Sequence, residues 1–137
     1  SLKKNPKHIK AIEISPIFRN HLKKKFGNKI ELFENDAKNL KDIINNSSID
    51  KILLINVIYF LNPLDLYLKE FKRILDKDGI VFIAGKFEAV KTFNDNVFQN
   101  KQIKDLLKVL KKFFKVSYEF VDLGDLNSRY YAIYLKK

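Results

Sequence analysis

Apolar positions along this chain arrive in short β-branched runs, separated by longer stretches in which they recur at helical spacing. The run HIKAIEIS, residues 8–15, places Ile9, Ala11, Ile12 and Ile14 close together and predicts a buried strand over 9–14. Ser15-Pro16 follows, a capping residue ahead of a first-turn proline, so a helix is expected from there to about Phe26. Gly27 suits the left-handed residue that ends such a helix. A second strand is predicted near 29–33. A short helix is predicted over 38–46, with Leu40, Ile43 and Ile44 on one face.

SIDKILLINVIYF supplies a third strand at about 51–56, apolar enough to be central. Pro63 opens a helix through about Asp76, with Leu64, Leu68, Phe71 and Leu75 at helical spacing. Asp78-Gly79 reads as a turn before a fourth strand at 80–84. After a less regular stretch at 86–99, residues 100–114 carry the amphipathic stripe Ile103, Leu106, Leu107 and Leu110. KVSYEFVDL and RYYAIYLKK then read as two strands around a turn at 124–128, close enough to pair as an antiparallel hairpin. Strands alternating with helices predict an α/β fold, a mostly parallel sheet with helices on both faces and one domain over 1–137.

Composition narrows the class. The 137 residues, 46% of them hydrophobic and 12 of them Phe, can build a core, and no apolar run approaches a membrane span. Without cysteine there is no disulfide framework and no thiolate metal site, and a cytoplasmic protein is expected. The net charge of +11 invites a nucleic-acid reading. All but three of the 27 basic residues are lysine, though, and they are scattered along the chain. Arginine forks are the usual readers of phosphates and base edges, so a solvated lysine surface is favoured. His8 and His21 read as surface residues.

Three strand ends carry the candidate chemistry. Glu13 closes the first predicted strand, where a carboxylate can accept from the two hydroxyls of a ribose or simply face water. Asp36, just past the second strand, can accept from an adenine amine beside the Ala37 amide, or cap the helix predicted to follow. Asn56 ends the third strand and needs a partner, either backbone or ligand. Tyr59 and Phe60 come next, as flanking aromatics or as core.

Taken in order, these segments resemble the class I S-adenosylmethionine-dependent methyltransferases. IKAIEISP is similar to that family's second strand and ENDAKNL to its Asp-Ala segment. IDKILLINVIYFLNP is similar to its fourth strand and the loop after it. YLKEFKRILDKDGIVFIAG resembles the helix, turn and strand around an Arg-x-Leu-x-Pro-Gly-Gly pattern, with Arg73 and Leu75 kept and Lys77-Asp78-Gly79 in place of Pro-Gly-Gly. The resemblance implies a Rossmann-like three-layer sandwich and S-adenosyl-L-methionine as cofactor. It places Glu13 on the ribose, Ile14 against the adenine, Asp36 and Ala37 at the adenine edge, and Asn56 and Val57 after the third predicted strand. The acceptor pocket is expected from 56–62 and 86–100, with Tyr59, Phe60, Lys86 and Phe87 as its contacts, and no metal.

One family element has no counterpart. The glycines are Gly27, Gly79, Gly85 and Gly124, so there is no glycine-rich loop, and SLKKNP reads as the tail of the helix that would follow it. The sequence is therefore expected to be an N-terminally incomplete domain lacking the first strand, with an open sheet that favours self-association. The expected reaction is methyl transfer, with a small-molecule acceptor ahead of nucleic acid and no membrane partner. The rival readings are a non-catalytic methyltransferase-like binding or scaffold module and a nicotinamide-dependent oxidoreductase fragment.

Overall fold

In the computed structural model, which describes residues 7–137, one unit runs through Leu40 and a second begins at Lys41. The reading of SLKKNP falls outside the described residues. In the first unit β1 (Lys10–Ile12) pairs in parallel with β2 (Glu31–Phe33), joined by α1 (Pro16–Phe26). The start and stop signals act as the sequence predicts. Ser15 Oγ accepts from the Phe18 N–H at 3.4 Å, and Gly27 takes φ +53°, where a Cβ would be strained. The strand predicted to be buried is not: Ile9 and Ile14 are exposed and Ala11 and Ile12 half-buried. A sheet of two three-residue strands has too few neighbours to cover either of them.

The second unit holds a four-stranded sheet in the order β3-β4-β6-β5, made of β3 (Ile49–Ile55), β4 (Leu75–Gly85), β5 (Lys115–Asp122) and β6 (Arg129–Lys136). β3 and β4 are parallel, while β6 runs antiparallel to both β4 and β5, which gives the predicted C-terminal hairpin. β3, expected at the centre, is an edge strand. Its Leu54 is buried while Leu53 and Ile55 on the other face are exposed. The turn predicted at Asp78-Gly79 is absorbed into β4. Pairing jumps from Ile49 opposite Leu75 to Lys51 opposite Ile80, so β4 loops out between those pairs.

The core lies on one sheet face. Val81, Ile83, Ile133 and Leu135 are fully buried there. α2 (Leu64–Ile74) packs against β4, α3 (Phe87–Val90) against β6 and α4 (Ile103–Lys111) against β5. α2 buries Leu64, Leu68 and Phe71, and α4 buries Leu106, Leu107 and Leu110, most of the predicted stripes; Leu75, buried, opens β4 instead, and Ile103 is half-buried.

The helix expected over 38–46 does not form; that stretch is a series of turns. Leu40 and Ile44 are buried all the same. Tertiary hydrogen bonds outcompete a weak helical preference. The Arg73 guanidinium takes the Ile44 carbonyl at 3.0 Å and Asn46 Oδ1 at 2.7 Å, while Ser47 and Ser48 donate to the carbonyls of Arg73 and Ile74.

Candidate functional site

In the first unit the parallel pairing brings two predicted carboxylates to one end. The Glu13 N–H donates to the Phe33 carbonyl at 3.1 Å, so Glu13 stands just past β1 where β2 ends. Its Oε1 accepts from the Ser15 N–H at 2.8 Å, which fixes a half-buried carboxylate at the strand's carboxyl end. Asp36, three residues past β2, is also half-buried. With no helix after it, it is not a helix cap. Its Oδ1 accepts from the Lys38 N–H at 3.2 Å and it pairs with Lys38 Nζ at 3.5 Å, which holds a turn. Ala37 is half-buried and Ile14 exposed beside them.

Sequence reasoning missed Arg19. Its guanidinium donates to the carbonyls of Glu13 at 3.0 Å and Ile14 at 2.8 Å, and reaches Glu34 at 3.1 Å. It clamps the backbone that carries two candidate residues. Its rarity was the available signal, because each of the chain's three arginines holds structure together here.

In the second unit Asn56 adopts φ +55°, a conformation asparagine tolerates better than most residues, and its N–H donates to the Ala84 carbonyl at 2.8 Å. That bond is made by the main chain, and the Asn56 side chain is exposed. Val57 and Phe60 are exposed, while Tyr59 is buried, with its ring 5.2 Å from the buried ring of Phe87. Lys86, exposed, precedes α3 without a side-chain capping bond. Phe98, which no sequence signal singled out, joins the group at 5.2 Å from Phe60 and 6.1 Å from Tyr59. Asn100 secures this segment by donating to the carbonyls of Ile58 at 2.9 Å and Leu61 at 2.8 Å. Beside it an open groove of about 400 Å³ is lined by Asp95, Phe98, Gln99, Gln102 and Asp105 among others.

The Tyr59 hydroxyl is enclosed, and the nearby Lys86 backbone N–H acts on it electrostatically without the geometry of a hydrogen bond. Burial pushes it up to about 12, against a lesser pull downward from the Lys86 backbone N–H. Tyr59 therefore stays a neutral phenol at physiological pH and is no general base. Its folded value is raised, so its contribution to stability is full below pH 10 and lost as pH rises towards 12. In spectrophotometric titration of the six tyrosines, one is expected to ionise late, near 12, and to vanish from the curve in Tyr59→Phe. That variant removes an unpaired polar atom and is expected to be as stable as the parent or up to ~1 kcal/mol more so. A loss above that figure on urea denaturation would mean that the hydroxyl is satisfied.

Parallel strands joined through helices, with candidate ligand residues just past their carboxyl ends, define a Rossmann-like α/β domain of the nucleotide-cofactor type. The family profile described as a methyltransferase domain matches residues 1–83, more than half of the sequence, and the chain belongs to that methyltransferase family. S-adenosyl-L-methionine is the methyl donor of this family. No curated protein matches the sequence.

Solved structures share the fold. The N-methyltransferase NodS of Bradyrhizobium japonicum WM9 superposes with a TM-score of 0.72 at 10% identity, over 94% of this chain and 72% of its own. A SAM-dependent methyltransferase of Aquifex aeolicus gives 0.69 at 16% identity, covering 93% and 68%. The PH0226 protein of Pyrococcus horikoshii OT3 gives 0.65 at 17% identity, covering 94% and 71%. Among the described residues no helix is long and apolar enough to cross a membrane, and no group of His, Asp and Glu is arranged to hold a metal.

Proposed function

We propose that this chain is the catalytic domain of an S-adenosyl-L-methionine-dependent methyltransferase acting on a small-molecule acceptor, as one domain over 1–137. The observation that carries the reading is the pair of half-buried carboxylates, Glu13 and Asp36, held just past two adjacent parallel strands. Their chemistry fits the cofactor. Glu13 offers a fixed acceptor to paired ribose hydroxyls, with Ser15 holding its other side. Asp36 and the Ala37 amide offer an acceptor and a donor to an adenine edge, and exposed Ile14 offers an apolar surface. Asn56 and Val57, just past β3, are further proposed cofactor positions.

When bound, the cofactor supplies an electrophilic methyl group on a sulfonium. The protein's own task is to position the acceptor and exclude water, which needs no triad. Exposed Phe60 and Lys86 are proposed to touch the acceptor. Buried Tyr59 and Phe87 form the floor beneath them rather than a contact surface.

Titration calorimetry with S-adenosylhomocysteine tests this, with NADH as the control. Glu13→Ala is expected to weaken binding ~10- to 100-fold, the equivalent of about 1.5–3 kcal/mol for hydrogen bonds to a charged group. Asp36→Ala is expected to weaken it ~10-fold. Binding that ignores both substitutions removes the proposed site. Tighter binding of NADH points to nicotinamide chemistry, and no binding of either ligand points to a non-catalytic module.

A further inference from the structure

The lysines that look scattered in sequence are partly gathered by the fold. β5 begins at Lys115 and β6 ends at Lys136, and the register sets the two directly opposite each other. Lys111 and Lys112 at the end of α4 lead into β5, and Lys137 follows β6. Lys111, Lys112, Lys115 and Lys136 are exposed and have no ion-pair partner among the described residues. Neither 106–118 nor 129–137 contains an acid. Glu119 and, in the segment looped out of β4, Asp76 and Asp78 are the acids nearest in the strand register.

A like-charge pair directly across two strands is destabilising. The other end of the same hairpin shows the stabilising alternative, where Asp122 opposes Arg129 and binds it at 3.1 Å. The dipole of α4 favours Lys108, Lys111 and Lys112 near its C-terminus, but it does nothing for the Lys115–Lys136 pair. Alternation along β6 puts Tyr134 on the same sheet face as Lys136, two positions along, and its ring is partly exposed. Lysines beside an accessible aromatic ring match the two needs of a single nucleic-acid strand, phosphate neutralisation and base stacking. A membrane surface would call for an apolar face to insert, and the apolar face of α4 is already in the core.

We propose that the end of the β5–β6 hairpin and the adjoining end of α4 form a binding surface for single-stranded nucleic acid, centred on Lys111, Lys112, Lys115 and Lys136. The surface lies at the amino end of β4, since Lys136 falls next to the Val81–Leu135 pair while Gly85 opposes Tyr131 at the other end. Tyr59 and Phe87 pack at that other end, so this surface is separate from the proposed acceptor floor and does not depend on methyl transfer.

The test is fluorescence anisotropy of the whole chain with a labelled single-stranded RNA, between about 50 and 200 mM salt. The patch variant carries Lys111→Gln, Lys112→Gln, Lys115→Gln and Lys136→Gln. A control carries Lys23→Gln, Lys24→Gln, Lys25→Gln and Lys29→Gln, which lowers the net charge equally. The patch variant is expected to lose ~3 from the slope of log affinity against log salt, about 0.7 per lysine, while the control keeps most of it. Tyr134→Ser is expected to weaken binding ~10-fold, through lost stacking with an unchanged slope. Equal losses in patch variant and control would reduce the effect to net charge and overturn the proposal. So would tighter, patch-dependent binding to vesicles of anionic phospholipid.

Discussion

Arg73→Ala is expected to destabilise the folded chain by about 3 kcal/mol, with the m-value of urea denaturation unchanged. The Arg73 guanidinium meets Glu70 through two parallel bonds, Nε to Oε2 at 2.9 Å and Nη2 to Oε1 at 2.7 Å. Its remaining nitrogen ties α2 to the turns at 44–46. Glu70 is only 6% exposed, so truncating Arg73 deprives a buried carboxylate of its cation, which costs more than the bonds are worth one by one. The same hydrogen bonding raises the Arg73 pKa, in keeping with a guanidinium held charged.

Arg73→Lys keeps the charge but loses the planar fork, and it is expected to recover less than half of the stability. A double-mutant cycle with Glu70→Ala is expected to show a coupling above ~1 kcal/mol. If Arg73→Ala costs less than ~1 kcal/mol, the clamp is ornamental and the turns at 44–48 are held by something else.

The second large effect is expected at Gly85. A Cβ built there would lie 2.6 Å from Phe87 Cε2, 2.7 Å from the Tyr59 hydroxyl and 3.1 Å from Phe87 Cζ. Both rings are buried and in edge contact with each other, and Phe87 also meets Tyr131 at 5.9 Å. Neither can swing into solvent, so Gly85→Ala is an overpacking change expected to cost about 2–3 kcal/mol. The displaced rings are the floor of the proposed acceptor region. The surviving folded fraction is therefore expected to lose acceptor turnover more than affinity for S-adenosylhomocysteine.

Combining Gly85→Ala with Phe87→Leu removes the two Phe87 ring atoms from the clash, leaving the Tyr59 hydroxyl, and is expected to recover about 1 kcal/mol relative to additivity. A Gly85→Ala chain that melts like the parent would mean that the aromatic cluster is loose. The steric account of this glycine would then fail.

Local chemistry is where the sequence was most legible. Ser15-Pro16 and Gly27 bracket α1 because capping and left-handed geometry are decided within a few residues. The stripes of α2 and α4 and the C-terminal hairpin were readable for a similar reason: their periodicity or short connection leaves few alternatives. The order of the strand-end residues Glu13, Asp36 and Asn56 was enough to suggest the methyltransferase family, to which the chain belongs.

What the sequence alone determined, then, is most of the element order and the cofactor class. What tertiary structure decided depends on partners far apart in the chain. Long-range bonds from Arg73, Ser47 and Ser48 turned the expected helix at 38–46 into turns. Sheet order made apolar β3 an edge strand, and register alone brought Lys115 opposite Lys136. Packing on Gly85 buried Tyr59 and left Phe60 exposed, although the two are neighbours in sequence. Hydropathy can show that a residue prefers burial, but which side chain is covered depends on what the fold sets against it.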